Sequence, residues 1–246
     1  MSIIISAHKS DIGQRLYNED YIWVDEEAGL FILADGIGGH EAGDVASRLA
    51  STTIGSIIAN HLKGQSRSTA TTIKDVMITA VETANTLVYD EAKKAQQKRK
   101  MGTTVALAFI QAGTAYICHA GDTRVYHLRG NNLTQLTKDH SWLEEFGGGL
   151  ATATSGEKSP FESALTKSIG QDSHVDPSFT QLAVTTEDWL LLCTDGLWRL
   201  LSQEQLKAEL KAAGNNPHRV VGALIGKALA TGADDNLSLI ALKIMG

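Results

Sequence analysis

Leu30-Phe31-Ile32-Leu33-Ala34-Asp35-Gly36-Ile37-Gly38-Gly39-His40 is the stretch on which the reading of this chain turns. Leu30 to Ala34 is short, apolar and bounded by turn residues, which predicts a strand. The strand ends at a carboxylate, and Gly36 lets backbone and a cation approach closely. An isolated Asp-Gly pair is ordinarily just a turn. Here the arrangement recurs where Leu190 to Thr194 runs into Asp195-Gly196-Leu197-Trp198. Three more acidic islands close apolar runs: Arg15-Leu16-Tyr17-Asn18-Glu19-Asp20, Gly121-Asp122-Thr123-Arg124 and Asp235-Asn236. Carboxylates delivered by several strand ends can converge on one hard-cation site that no local motif could build. Oxygen-only ligation of this kind suits Mg²⁺ or Mn²⁺ rather than zinc.

Outward from this stretch, Ile3 to Ala7 and Tyr21 to Asp25 also read as strands. The pattern switches to helical period at 42–62, with Val45, Leu49, Ile54, Ile57 and Ile58 on one face, and again at 71–98. Strands return at Thr103 to Ile110, Ala115 to His119, Arg124 to Arg129 and Leu133 to Leu136. Gly113 and Gly130-Asn131-Asn132 supply the hairpin turns, so the pairing is antiparallel. Asp139 is expected to cap a short helix at Ser141 to Phe146. The Gly147-Gly148-Gly149 run opens a small, polar stretch read as a flap over 147–160. Strands at Ser178 to Val184 and Trp189 to Thr194, helices at Ser202 to Ala213 and Pro217 to Ala230, and a strand at Leu237 to Ile244 complete the chain. Strands and helix pairs come in separate blocks, which favours an α+β architecture with helices covering antiparallel sheets.

The chain has 246 residues and a formal net charge of −6. That length is ample for a core, and a site built from both ends argues for one domain, 1–246. Without a basic stripe or polybasic tail, neither nucleic acid nor an anionic membrane is an expected partner. The two cysteines, Cys118 and Cys193, lie inside apolar runs without paired spacing, so they read as small buried hydrophobes. The N-terminus lacks a signal peptide's pattern, and no apolar stretch spans a bilayer. A cytoplasmic protein is expected.

Together the islands resemble the metal-dependent protein phosphatases, the type 2C serine/threonine (PPM) family, in its bacterial form. Matching stretches occur in family order along almost the whole chain. They run from Ser10-Asp11-Ile12-Gly13 through Arg15 and Asn18-Glu19-Asp20 to Ala34-Asp35-Gly36-Ile37-Gly38-Gly39-His40. Gly102-Thr103-Thr104, Ala120-Gly121-Asp122-Thr123-Arg124, Leu136-Thr137-Lys138-Asp139-His140-Ser141 and Leu165-Thr166-Lys167-Ser168-Ile169-Gly170 follow. Thr194-Asp195-Gly196-Leu197-Trp198 and Asp235-Asn236-Leu237-Ser238 close the set.

The resemblance implies a four-layer α-β-β-α sandwich with two central antiparallel sheets flanked by helix pairs. It implies hydrolysis of phosphoserine and phosphothreonine at a site binding two Mn²⁺ or Mg²⁺. Asp35 would bridge the ions, Asp195 and Asp235 would hold the first, and the Gly36 carbonyl the second, with Glu19 or Asp20 reaching it directly or through water. Asp122 with Asp195 matches the ligands of a third, weaker ion, and Arg15 matches the residue gripping the substrate phosphate. Two cations about 4 Å apart can share a water and lower its pKa, so that hydroxide attacks phosphorus in line without a phosphoenzyme.

Ile37 stands where animal members carry a His as general acid. His40 is the remaining candidate donor to the leaving alkoxide, against a structural role. Thr103 and Arg124 read as supports for the ligands, and His140 as packing behind the site. Arg199 stands where many relatives have an acid and Ser238 where many have Thr, and neither is expected to bind metal. The expected partners are a phosphorylated Ser/Thr protein and an antagonistic Ser/Thr kinase, the phosphatase itself being a monomer. The Asp35 loop and the segment from Glu27 to Leu30 are similar to phosphatases of type VI secretion clusters. Two rival readings remain: a phosphoprotein-binding pseudophosphatase, and a phosphohydrolase of small phosphoesters.

Overall fold

Alternate side chains of the Leu30-to-Ala34 run face two different apolar layers. Leu30, Ile32 and Ala34 pack with Ala46, Ala50, Ile54, Met77, Ala80 and Val81, whereas Phe31 and Leu33 pack with Leu190, Leu192, Ile240 and Leu242. The two-residue period of a strand makes that division. Burial on both faces explains why the run is apolar throughout rather than alternating. Each of these side chains is fully buried, which contributes about 1.5–3 kcal/mol apiece for the larger ones.

The computed structural model describes residues 3–39, 41–64, 70–94, 101–147 and 164–246. Its elements are β1 (Ile3–Asp11), β2 (Tyr21–Asp25), β3 (Leu30–Ile37), α1 (Glu41–Gly64), α2 (Ala70–Lys94), β4 (Gly102–Gln111), β5 (Thr114–Ala120), β6 (Arg124–Arg129) and β7 (Asn132–Gln135). There follow α3 (Trp142–Phe146), β8 (Ser178–Ala183), β9 (Trp189–Cys193), α4 (Asp195–Trp198), α5 (Gln203–Ala212), α6 (Pro217–Ala230) and β10 (Leu237–Met245). One five-stranded sheet has the order β1-β10-β9-β6-β7 and the other β2-β3-β4-β5-β8. Every pairing is antiparallel.

One apolar cluster fills the space between the sheets. A second joins α1 and α2 to the β3 side, and a third joins α5 and α6 to the β9 and β10 side. The result is the expected α-β-β-α sandwich. Local chemistry sets the later helix starts. Ser202 and Gln205 form a reciprocal capping box at α5, and Asn216 caps α6 with Pro217 in its first turn.

Four boundaries differ from the sequence reading. β1 runs on to Asp11 because all of it pairs with β10, from Ile3 opposite Met245 to Asp11 opposite Leu237. β3 continues through Asp35 and Gly36 to Ile37, opposite Gly102. The cap of α3 is Ser141, whose hydroxyl accepts from the Glu144 N–H, and not Asp139, which is drawn to Arg124 instead. Asp195-Gly196-Leu197-Trp198 is a one-turn helix rather than a second plain strand-end turn. The part of the expected α2 beyond Lys94, and the expected flap beyond Gly147, lie outside the described residues.

Candidate active site

The end of β3 and the loop between β1 and β2 meet through a glycine. The Gly36 N–H donates to the Glu19 carbonyl at 3.1 Å, and Ser47 Oγ of α1 donates to the same oxygen at 2.6 Å. A Cβ on residue 36 would lie 2.3 Å from the Gly43 carbonyl oxygen and 2.5 Å from that of Glu19, so only glycine lets these three backbones close. Thr103 Oγ1 donates to the Asp35 carbonyl at 2.7 Å, holding the strand end on which the carboxylate stands.

The second sheet is locked to the first from the other side. Asn236 accepts from the Glu19 N–H at 2.9 Å and donates through Nδ2 to the carbonyls of Ile12 and Tyr17, each at 3.0 Å. Thr194 Oγ1 donates to Asp20 Oδ2 at 3.1 Å and accepts from the Ser238 N–H at 3.1 Å. A Cβ at Gly196 would lie 2.0 Å from the Asn236 carbonyl oxygen, so α4 also abuts the start of β10 through a glycine.

Asp20, Asp35, Asp122, Asp195 and Asp235 are thereby brought close enough to act on one another. Burial, then repulsion from Asp20, Asp195, Asp122 and Asp235, holds the Asp35 carboxyl well above the usual carboxylate range. Burial pushes Asp20 up to about 7 against hydrogen bonds from Ser238 and Thr194, with Asp195 and Asp235 adding repulsion. Asp122 is likewise pushed up to about 7 by burial and by Asp195, while Arg199 opposes the rise. Asp195 is raised by burial, opposed by Arg199, with Asp235 adding repulsion. Such a cluster is short of positive charge.

Asp20 Oδ1 is buried without a hydrogen-bond partner among the described residues, an exception to the usual pairing of buried polar atoms that a bound cation would account for. Among the described residues no three His, Cys, Asp or Glu side chains are already drawn together closely enough to hold an ion. The donor set is entirely oxygen, which fits Mg²⁺ or Mn²⁺.

Behind the carboxylates lies a layer that the sequence reading found only in part. Arg124 forks onto Asp139, with Nε 2.9 Å from Oδ1 and Nη2 2.7 Å from Oδ2, and lies over the Trp198 ring at 3.5 Å. Trp198 Nε1 in turn donates to the Asp122 carbonyl at 3.0 Å. The Gly121 N–H donates to His140 Nδ1 at 3.1 Å, and His140 stacks on His119 with ring centroids 4.5 Å apart. Arg124 is thus a mostly buried support. Asn236, Trp198 and Asp139 are the residues that sequence reasoning missed as supports. Their only signal was adjacency to an acidic island or membership of a matched stretch.

Arg15 stands at the mouth, half exposed, with Nη2 2.8 Å from Asp235 Oδ2 and Nε 2.9 Å from the Asp234 carbonyl. Glu19 and Gly36 lie side by side through their shared backbone contact. Ile37 ends β3, and His40 lies outside the described residues.

The protein phosphatase 2C family model matches residues 9–223. The chain is 32% identical over 203 residues to protein phosphatase PhpP of Streptococcus pneumoniae, covering 80% of each. It resembles the solved structure of PppA, a key regulatory component of T6SS in Pseudomonas aeruginosa, with a TM-score of 0.84 at 29% identity and full coverage of both chains. The catalytic domain of the serine/threonine protein phosphatase PstP, solved in complex with two manganese ions, matches with a TM-score of 0.83 at 27% identity, again covering all of both chains. The order of the motifs, the paired five-stranded sheets and the match over most of the chain agree: this protein belongs to the protein phosphatase 2C family.

Proposed function

We propose that the chain is a metal-dependent protein serine/threonine phosphatase of bacterial type, acting on phosphoserine and phosphothreonine through two divalent ions. The observation that carries this reading is the set of five mutually repelling carboxylates with one arginine at its mouth. Asp35, Asp195 and Asp235, with the Gly36 carbonyl and Glu19 or Asp20, would hold the ions. The manganese-bound relative supports Mn²⁺ as the first metal to try. When bound, the ions supply Lewis-acid polarisation of the phosphoryl group and a water acidic enough to attack it near neutral pH.

The chain's own residues do the rest. Arg15 exchanges Asp235 for two phosphoryl oxygens, a planar fork that Lys would not reproduce. The carboxylates repel a phosphate dianion until they are neutralised, so ligand binding and metal loading are coupled. His40 is the proposed donor to the leaving alkoxide. The substrate is a phosphorylated protein whose Ser/Thr kinase this enzyme opposes, and likeness to PppA favours a type VI secretion regulator. A single domain acting as a cytoplasmic monomer completes the proposal. Among the described residues no helix is long and apolar enough to cross a membrane.

The test is phosphate release from a phosphothreonine peptide by metal-stripped protein, with and without Mn²⁺, beside an Asp195→Asn control and a nucleotide substrate. Mn²⁺-dependent release from the peptide that vanishes in the control supports the reading. Faster release from the nucleotide would redirect it to small phosphoesters. No release from folded protein at any Mn²⁺ level would leave a phosphoprotein-binding role.

A further inference from the structure

One guanidinium links two of the site's carboxylates. Arg199 Nη2 lies 2.9 Å from Asp195 Oδ2 and 3.7 Å from Asp122 Oδ2. The side chain does not reach there by chance of a long rotamer. Arg199 is the C-cap of α4, one helical turn after Asp195, and its N–H donates to the Asp195 carbonyl at 3.0 Å. Residues four apart on a helix meet on one face. The adjoining Trp198 ring lies 5.4 Å from the Arg199 guanidinium, while the indole N–H holds the Asp122 backbone. Asp122 and Asp195 are largely buried, with side chains 9% and 14% exposed, and Arg199 is half exposed. Two such carboxylates facing one another need a cation, and an arginine is charged at every working pH.

We infer that Arg199 is the resident counter-cation of the Asp122–Asp195 pair, occupying by side chain the place a further divalent ion would otherwise take. The inference rests on the proposed two-ion core, in which Asp195 also serves. It makes Arg199 a positioning residue. It holds Asp195 toward the core and neutralises Asp122 whatever the metal concentration, so the protein loads two ions and no more.

Equilibrium dialysis against Mn²⁺ with elemental analysis tests this. Wild type should bind two ions per chain. Arg199→Asp should bind three, and the third should disappear in Arg199→Asp/Asp122→Asn. A third ion on wild type that is lost in Asp122→Asn overturns the inference, and so does an Arg199→Asp protein that still binds two. Melting in EDTA gives a metal-independent arm. Arg199→Ala should lower the midpoint by about 2–4 °C, and by clearly less in an Asp122→Asn background. Equal losses in both backgrounds overturn the pairing. Wild type that binds no Mn²⁺ at all refutes the two-ion core, and the EDTA comparison then still decides whether Arg199 serves Asp122.

Discussion

Asn236 shows how much positioning one uncharged side chain can perform. It satisfies one N–H and two carbonyls of the segment that carries Arg15 and Glu19, and it is 5% exposed. Asn236→Ala takes away the partner of three part-buried backbone groups, at about 0.5–1.5 kcal/mol for each bond. It is expected to lower kcat/KM by about 10-fold while secondary structure persists, as phosphate release and circular dichroism would show. Wild-type turnover in this variant would remove Asn236 from the site's support. Asp35 and Asp195 stand differently, since each faces further buried carboxylates. Asp35→Asn and Asp195→Asn should each cut turnover by about 100-fold or more with the fold retained. Near-wild-type activity in either would refute the metal assignment.

Among the elements, β10 and α4 carry the most consequence. β10 lies between β1 and β9 and places Ile240, Leu242 and Ile244 between the sheets, with Leu237 and Leu239 toward α6. Five fully buried side chains at about 1.5–3 kcal/mol each match the whole stability of a typical domain, about 5–15 kcal/mol. A chain ending before Leu237 should therefore lose cooperative thermal unfolding altogether. A sharp melting transition in that truncation would show that the core closes without it. α4 depends on Gly196, where a methyl would meet the Asn236 carbonyl oxygen at 2.0 Å. Gly196→Ala should cost about 1–3 kcal/mol, a drop of several degrees in melting temperature.

Over the whole molecule, two sets of buried groups bend the stability profile in opposite directions. Asp20 and Asp122 are raised from 3.8 to about 7. The metal-free fold therefore binds more protons than the unfolded chain between those values, and stability falls as pH rises through them. Burial and the neighbouring His119 lower His140 from 6.5 to about 3. The unfolded chain then binds the extra proton, and stability falls as pH drops below about 6.5. In EDTA the two carboxylates outweigh the one histidine where their ranges overlap, so the melting temperature should fall as pH rises from about 4 to about 7. Mn²⁺ should remove that decline, and His140→Asn should steepen it. A decline that persists unchanged with saturating Mn²⁺ would sink the first half of this prediction.

The apolar runs, the helical periods and the five acidic islands are local patterns, so the sequence by itself determined most of the elements, the antiparallel pairing of the strands and the candidate carboxylates. Chain neighbours are enough to specify a period of two or 3.6 and a turn. Only the tertiary structure decided that β1 pairs along its whole length, that Asp139 serves Arg124 rather than a helix, and that Arg199 sits between Asp122 and Asp195. Each of those contacts joins groups whose partners are chosen by packing of the two sheets. Glu19 and Asn236 illustrate the point, since more than two hundred positions separate the two ends of their hydrogen bond. No local pattern encodes such a pairing; burial of both sheets' apolar faces brings it about.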